Sequence, residues 1–234
     1  MKWLLFIISL TTLFACIKFG ESYSGLPPGP WRGVLYLSDD TTGFDEHTHG
    51  ELPFTFDIVY ANPDSFYMVI HNGEENIPVT DITMGTDRRT GRDTLRIDFP
   101  VYETHFSAQY QEDWIEGWWL VENRRDYKIK FKATYGKNYR FLELTDPPKA
   151  DLTGKWECNF DLDTKEPYKA IGDFKQDGNH ITGTFMTLTG DDRYLEGQVS
   201  GDRMFLSVFD GSHAYLYEAK ILDDGTLSGI YRSG

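Results

Sequence analysis

From Trp31 onward, apolar and polar residues alternate in short runs. Leu95, Ile97 and Phe99 flank Arg96 and Asp98, and the run Met204-Phe205-Leu206-Ser207-Val208 alternates in weaker form. A two-residue period sends successive side chains to opposite faces of a strand, whereas an amphipathic helix repeats every ~3.6 residues. No stretch carries a persuasive helical period. Between the runs stand Asn72-Gly73, Asp177-Gly178-Asn179, Ser200-Gly201-Asp202 and Asp224-Gly225. Such pairs accept the positive φ that tight hairpin turns require. The pattern predicts an all-β, antiparallel fold.

The pattern also repeats. Trp31-Arg32-Gly33-Val34-Leu35 matches Trp156-Glu157-Cys158-Asn159-Phe160 as an opening strand. Asp93 to Phe99 parallels Asp202 to Phe209, and an aromatic strand with a histidine, His105 or His213, follows each. Ile115-Glu116-Gly117-Trp118 then matches Leu227-Ser228-Gly229-Ile230 as a closing strand. Two related β units are expected, 31–144 and 152–234, as small barrels or sandwiches or as halves of one larger barrel. Thr145-Asp146-Pro147-Pro148-Lys149-Ala150-Asp151 reads as the linker between them.

The N-terminus follows another rule. Met1 and Lys2 precede an apolar run from Trp3 to Phe14 that ends in Leu13-Phe14-Ala15-Cys16. A membrane-crossing helix needs roughly 20 apolar residues, so this run is too short to span comfortably. A small residue before a cysteine at the end of such a run resembles the bacterial lipobox, with Phe14 as a bulky departure. Residues 1–15 are thus expected to be a lipoprotein signal peptide, and Cys16 the lipid attachment site. Acyl chains contribute ~0.8 kcal/mol per buried methylene, enough in number to hold the chain to a membrane. Residues 16–30, with Gly25-Leu26-Pro27-Pro28-Gly29-Pro30, read as a tether reaching at most on the order of 45 Å. Ile17 stands where an acidic residue would favour inner-membrane retention, so the expected location is the cell envelope, at the outer membrane facing the periplasm.

Charge narrows the partners. The net charge is -14, and with residues 1–15 removed 22 basic residues face 37 acidic ones. Such a surface repels phosphate backbones, so nucleic acid is not an expected partner. Of the two cysteines, Cys16 is consumed by lipid. Cys158 shares a strand face with Trp156 and Phe160 and reads as a buried, inert thiol.

The most specific text lies in the second half: Leu152-Thr153-Gly154-Lys155-Trp156, Gly172-Asp173-Phe174-Lys175-Gln176, Ile181-Thr182-Gly183-Thr184-Phe185, Arg193-Tyr194-Leu195-Glu196-Gly197 and Phe209-Asp210-Gly211-Ser212-His213-Ala214-Tyr215-Leu216. The first half adds Trp31-Arg32-Gly33 and Glu51-Leu52-Pro53-Phe54. This series resembles the N-terminal β region of TlpA-like thiol-disulfide oxidoreductases, the redoxin lipoproteins of the Bacteroidetes envelope. In that family a thioredoxin-fold domain with Cys-x-x-Cys follows and carries the chemistry. That motif does not occur among these 234 residues. The resemblance therefore implies a non-catalytic accessory or binding module, a truncated or partial member, whose partner is a thioredoxin-fold domain or another envelope protein. A free-standing, lipocalin-like binding lipoprotein is the alternative, and it expects an internal cavity of a few hundred Å3.

Other constellations carry less. Asp210, Ser212 and His213 supply the letters of a hydrolytic triad, but on a strand Ser212 and His213 point to opposite faces. His47 and His49, within Asp45-Glu46-His47-Thr48-His49-Gly50-Glu51, would share a face if extended and are weak metal candidates in an expected loop. Asp161-Leu162-Asp163-Thr164-Lys165-Glu166 lacks the glycine and distant glutamate of a calcium loop. In Gly117-Trp118-Trp119-Leu120 the indoles face opposite sides of a strand, so Trp118 or Trp119 is expected at a binding surface. No catalytic residue and no cofactor is assigned.

Overall fold

The computed structural model describes residues 25–38 and 47–234. The predicted signal peptide, Cys16 and the tether up to residue 24 lie outside the described residues, as do Asp45 and Glu46. Among the described residues, sixteen strands form two curled antiparallel sheets, and the all-β expectation holds.

The first sheet holds β1 (Gly29–Tyr36), β2 (Glu51–Asn62), β3 (Ser65–Asn72), β4 (Glu75–Val79), β5 (Ile82–Thr86), β6 (Asp93–Phe99), β7 (Thr104–Tyr110), β8 (Trp114–Val121) and β9 (Lys128–Tyr135). Its spatial order is β4-β3-β2-β1-β9-β8-β7-β6-β5. The edge strands β4 and β5 are separated in the chain only by Thr80 and Asp81, and β4 touches β6, so the sheet curls nearly round on itself. Its interior is filled by aromatic rings: Phe54 lies 5.8 Å from Phe56, 6.3 Å from Phe106 and 6.0 Å from Phe131. The second sheet is a meander of β10 (Gly154–Phe160), β11 (Tyr168–Asp177), β12 (His180–Met186), β13 (Asp191–Ser200), β14 (Arg203–Phe209), β15 (Ala214–Ile221) and β16 (Leu227–Ser233).

The internal repeat is visible in atomic detail. The Trp31 indole donates to the Pro27 carbonyl at 3.2 Å, and the Trp156 indole donates to the Leu152 carbonyl at 2.9 Å, each four residues back. Gly117 pairs with Ala108 and Gly229 with Ala219. A Cβ at either glycine would come within 2.2 Å of a neighbouring carbonyl oxygen, of Ser107 or of Glu218. One expectation needs correcting. The segment around Gly117 does not close the first sheet, because β9 follows it and joins β8 to β1.

The weak alternation of Met204 to Val208 has a physical reason. All seven residues of β14 are buried. Met204, Leu206 and Val208 line the second sheet's own core, while Phe205, Ser207 and Phe209 face the other way, and β14 contacts β2 and β3 of the first sheet. Phe209, Ala214 and Leu216 belong to the first sheet's core cluster. The two sheets thus share apolar packing.

The expected linker, 145–151, and the residues 137–144 before it are tied to the second sheet by hydrogen bonds. Gln198 Oε1 accepts the Phe141 and Leu142 amides at 3.1 and 2.7 Å, and the Lys149 amide donates to the Gly201 carbonyl at 2.7 Å. The Arg140 guanidinium is buried between the sheets. It donates to the His71 carbonyl at 2.5 Å, to Ser207 Oγ at 3.0 Å and to Glu196 Oε2 at 3.0 Å. Asn72, read from sequence only as a turn residue, donates to the Phe209 carbonyl at 2.7 Å and accepts its amide at 3.3 Å.

Candidate functional site

The concave face of the second sheet changes character along its length. One end is built from Leu152, Ile181, Val199 and Ile221. The other is aromatic, because cross-strand register sets Phe160 opposite Tyr168 and Tyr217 opposite Tyr231. There Phe185 and Tyr217 lie 4.4 Å apart, Tyr217 and Tyr231 4.8 Å, and Phe160 and Tyr168 5.2 Å. Tyr217 is buried, whereas Tyr168 is 38% exposed and Phe160, Tyr215 and Tyr231 are partly exposed. The aromatic end is therefore a mouth, open to solvent on one side.

A carboxylate stands in this mouth. Simple alternation back from the inward-facing Leu195, Gly197 and Val199 would turn Arg193 and Asp191 inward. Instead the register shifts between Gly183 and Phe185, Tyr194 adopts φ 56°, and Asp192 comes opposite Phe185. One extra residue in a strand reverses the facing of everything beyond it. The Tyr217 hydroxyl donates a short hydrogen bond to Asp192 Oδ2. Burial pushes the Asp192 carboxyl up, opposed by that hydrogen bond and by the charge of His213. Burial also pushes the phenols of Tyr168, Tyr215, Tyr217 and Tyr231 up, and the Asp192 charge adds to all four. The result is an acidic aromatic surface. Sequence reasoning missed it because the bulge breaks the period that would have exposed an inward acid.

A second cluster lies on the first sheet. Asp98, His105 and Glu122 bring ligand atoms within 4.8 Å of one another. Arg96 already bridges the two acids, donating to Asp98 Oδ1 at 2.5 Å and to Glu122 Oε1 at 3.0 Å. His105 Nδ1 stands 3.3 Å from Glu122 Oε1 but outside hydrogen-bond geometry. Burial and the nearby Arg96 charge hold the His105 imidazole below its usual range. A neutral imidazole beside two carboxylates is a ligand set of the right type, yet the guanidinium occupies the place of a cation.

His47 and His49 lie in a turn, with His49 at φ 50°, rather than on an extended segment. The His47 and Thr48 amides donate to the buried Glu218 carboxylate at 2.8 and 3.0 Å, and Arg203 pairs with the same carboxylate at 3.2 Å. Among the described residues these histidines gather no third ligand. Trp118 is 41% exposed, with Lys128 Nζ 4.6 Å from its ring centre. Trp119 is 1% exposed and packs edge-on against Phe209 at 5.4 Å, so it presents no binding surface. Asp210 commits its carboxylate to a turn, accepting the Ser212 and His213 amides at 2.8 and 2.7 Å and pairing with His213 Nδ1 at 2.9 Å. The Asp161 backbone carbonyl accepts the Thr164 amide and hydroxyl, both at 2.9 Å, and so closes a local turn. The Cys158 sulfur is half-buried, and burial pushes its thiol up.

Among the described residues, recesses open to solvent include two away from this mouth. One of about 580 Å3 is lined by Pro27, Gln111, Glu112, Asp113 and Tyr135. The other, about 70 Å3, lies between the sheets beside Arg32, His47 and Phe205. No protein-family model matches this chain, and no curated protein or solved structure is found similar to it.

Proposed function

We propose that the chain is a non-catalytic binding module of the bacterial cell envelope, held to a membrane through lipid on Cys16 and working through the aromatic mouth of its second sheet. In the redoxin-type lipoproteins that its sequence resembles, such a β region accompanies a thioredoxin-fold domain, and a domain of that kind is the proposed partner. The observation that carries the reading is the mouth itself: partly exposed tyrosines surround Asp192, whereas the Asp98, His105 and Glu122 cluster is closed by Arg96 and the Asp210–His213 pair is committed to a turn. Exposed aromatic rings beside a polar group are the usual anchors of recognition surfaces. The raised thiol of Cys158 accords with a role that transfers no electrons.

A lipocalin-like cup is the alternative. The first sheet's interior is occupied by Phe54, Phe106, Phe131 and Phe209, so a cup-like role would also fall to the second sheet's mouth.

Mass spectrometry of protein extracted from cells tests the anchor: Cys16 should be diacylated, and an unmodified Cys16 overturns it. Reading the locus beyond the Gly234 codon tests the partner. Coding sequence for Cys-x-x-Cys, or a neighbouring redoxin gene, is expected; a stop codon with no redoxin nearby counts against the association. Reduction of a disulfide substrate by the purified chain would overturn the non-catalytic reading.

A further inference from the structure

The aromatic mouth combines three properties that together select a class of small molecule. The first is ring area. Phe160 and Tyr168 stack at 5.2 Å with an interplanar angle of 19°, and Tyr231 stands 6.0 Å from Phe160 at 69°. All three rings are partly open to solvent. The negative faces of aromatic rings attract cations within ~6 Å of the ring centre, more strongly when the cation is poorly hydrated.

The second property is unbalanced charge. Asp192 lies among the rings, and Asp161, Asp192 and Asp210 act on the surrounding phenols. Arg193 reaches Asp191 at 3.5 Å, and His213 is paired with Asp210. Among the described residues no lysine or arginine is paired with Asp192. The third property is the opening to water. Asp192 Oδ2 accepts from the Tyr217 hydroxyl, and Tyr168, 38% exposed, keeps the rings in contact with solvent. A primary ammonium is strongly hydrated and gives up its shell reluctantly at such a surface. A quaternary ammonium is weakly hydrated and seats on ring faces at little cost.

We propose that the mouth bounded by Phe160, Tyr168, Tyr231 and Asp192 binds a quaternary ammonium group, seated on the ring faces with its charge toward the Asp192 carboxylate. This rests on the reading of the second sheet as the working surface and adds the chemistry of what it takes. The acidity of the whole chain favours the approach of such a cation.

Choline and its neutral isostere, 3,3-dimethylbutan-1-ol, differ in charge but hardly in shape, so a paired titration of the full chain isolates the electrostatic part. Calorimetry and tyrosine-ring NMR should show choline saturating with at least about tenfold tighter binding than the isostere. The shifts should centre on Tyr168 and Tyr231. Asp192→Asn should weaken choline by about tenfold and leave the isostere unchanged. Tyr168 is exposed, so Tyr168→Leu keeps the fold while removing a ring, and it should weaken choline alone. Once choline saturates, phosphatidylcholine vesicles separate a lipid headgroup from a free solute as the source, and both results support the site. Equal binding of choline and the isostere, binding of neither, or ring shifts confined to other residues overturns it. Such a failure leaves the anchor and partner reading standing on its own tests at Cys16 and the locus.

Discussion

The ring of Phe209, at the end of β14, lies 4.7 Å from the ring of Phe54 on β2, so a strand of one sheet completes the interior of the other. Phe209 also meets Phe106 at 5.4 Å and Phe99 at 5.8 Å. The following turn is held down where Thr104 donates to the Gly211 carbonyl, and a Cβ on Gly211 would strike the Phe99 ring at 2.3 Å.

The sheets should therefore unfold together. Phe209→Ala removes a fully buried ring and should cost ~3–5 kcal/mol. Differential scanning calorimetry should show one transition in the native chain and one, at lower temperature, in the variant. Two resolved transitions in the native chain would refute the shared core.

Acid should weaken the same junction. Burial by itself disfavours the ionised Glu196, but Arg140, His180 and the Gly73 amide outweigh it and leave the carboxyl below its usual range. The unfolded chain then binds that proton more tightly than the folded one. The stabilisation is full above the unfolded value of about 4.3 and is lost as pH falls through the lower folded value. Urea midpoints measured across the acid range should fall less steeply for Glu196→Gln than for the native chain. Identical acid slopes would remove Glu196 from the account. Arg140→Met, which strands a largely buried carboxylate, should cost ~3 kcal/mol or more near neutral pH.

At the Asp98, His105 and Glu122 cluster, the Arg96 charge helps to keep His105 neutral. Arg96→Ala removes that charge and frees both acids to act on the ring. The His105 midpoint, followed by NMR of its ring protons, should rise in the variant. A fall, or no movement, would mean that burial alone sets it.

Cys158 should be slow to react. Its thiol is pushed up by burial, which outweighs the opposing hydrogen bond from the Gly172 amide, and the thiolate is the reactive form. Alkylation by iodoacetamide at mildly alkaline pH should be slower in the folded chain than in denaturant. Equal rates would show an accessible thiol.

Much of the architecture was legible along the chain. Leu95, Ile97 and Phe99 are buried as their alternation requires, and Gly73, Gly178, Gly201 and Gly225 all take positive φ at hairpin turns. Trp118 and Trp119 part to opposite faces as a strand demands. The site was far less legible. Asp192 faces inward only because of a bulge, and Arg96 meets Glu122 across 26 residues of sequence.

Strand identity, hairpin turns and the internal repeat follow from sequence because side-chain alternation and turn dihedrals are properties of neighbouring residues. The return of β9 to β1, the burial of both faces of β14, the seating of Arg140 and the inward turn of Asp192 were decided only in three dimensions. Each depends on which distant surface a residue meets, and the free energy of such a meeting comes from desolvation and packing that no local pattern records.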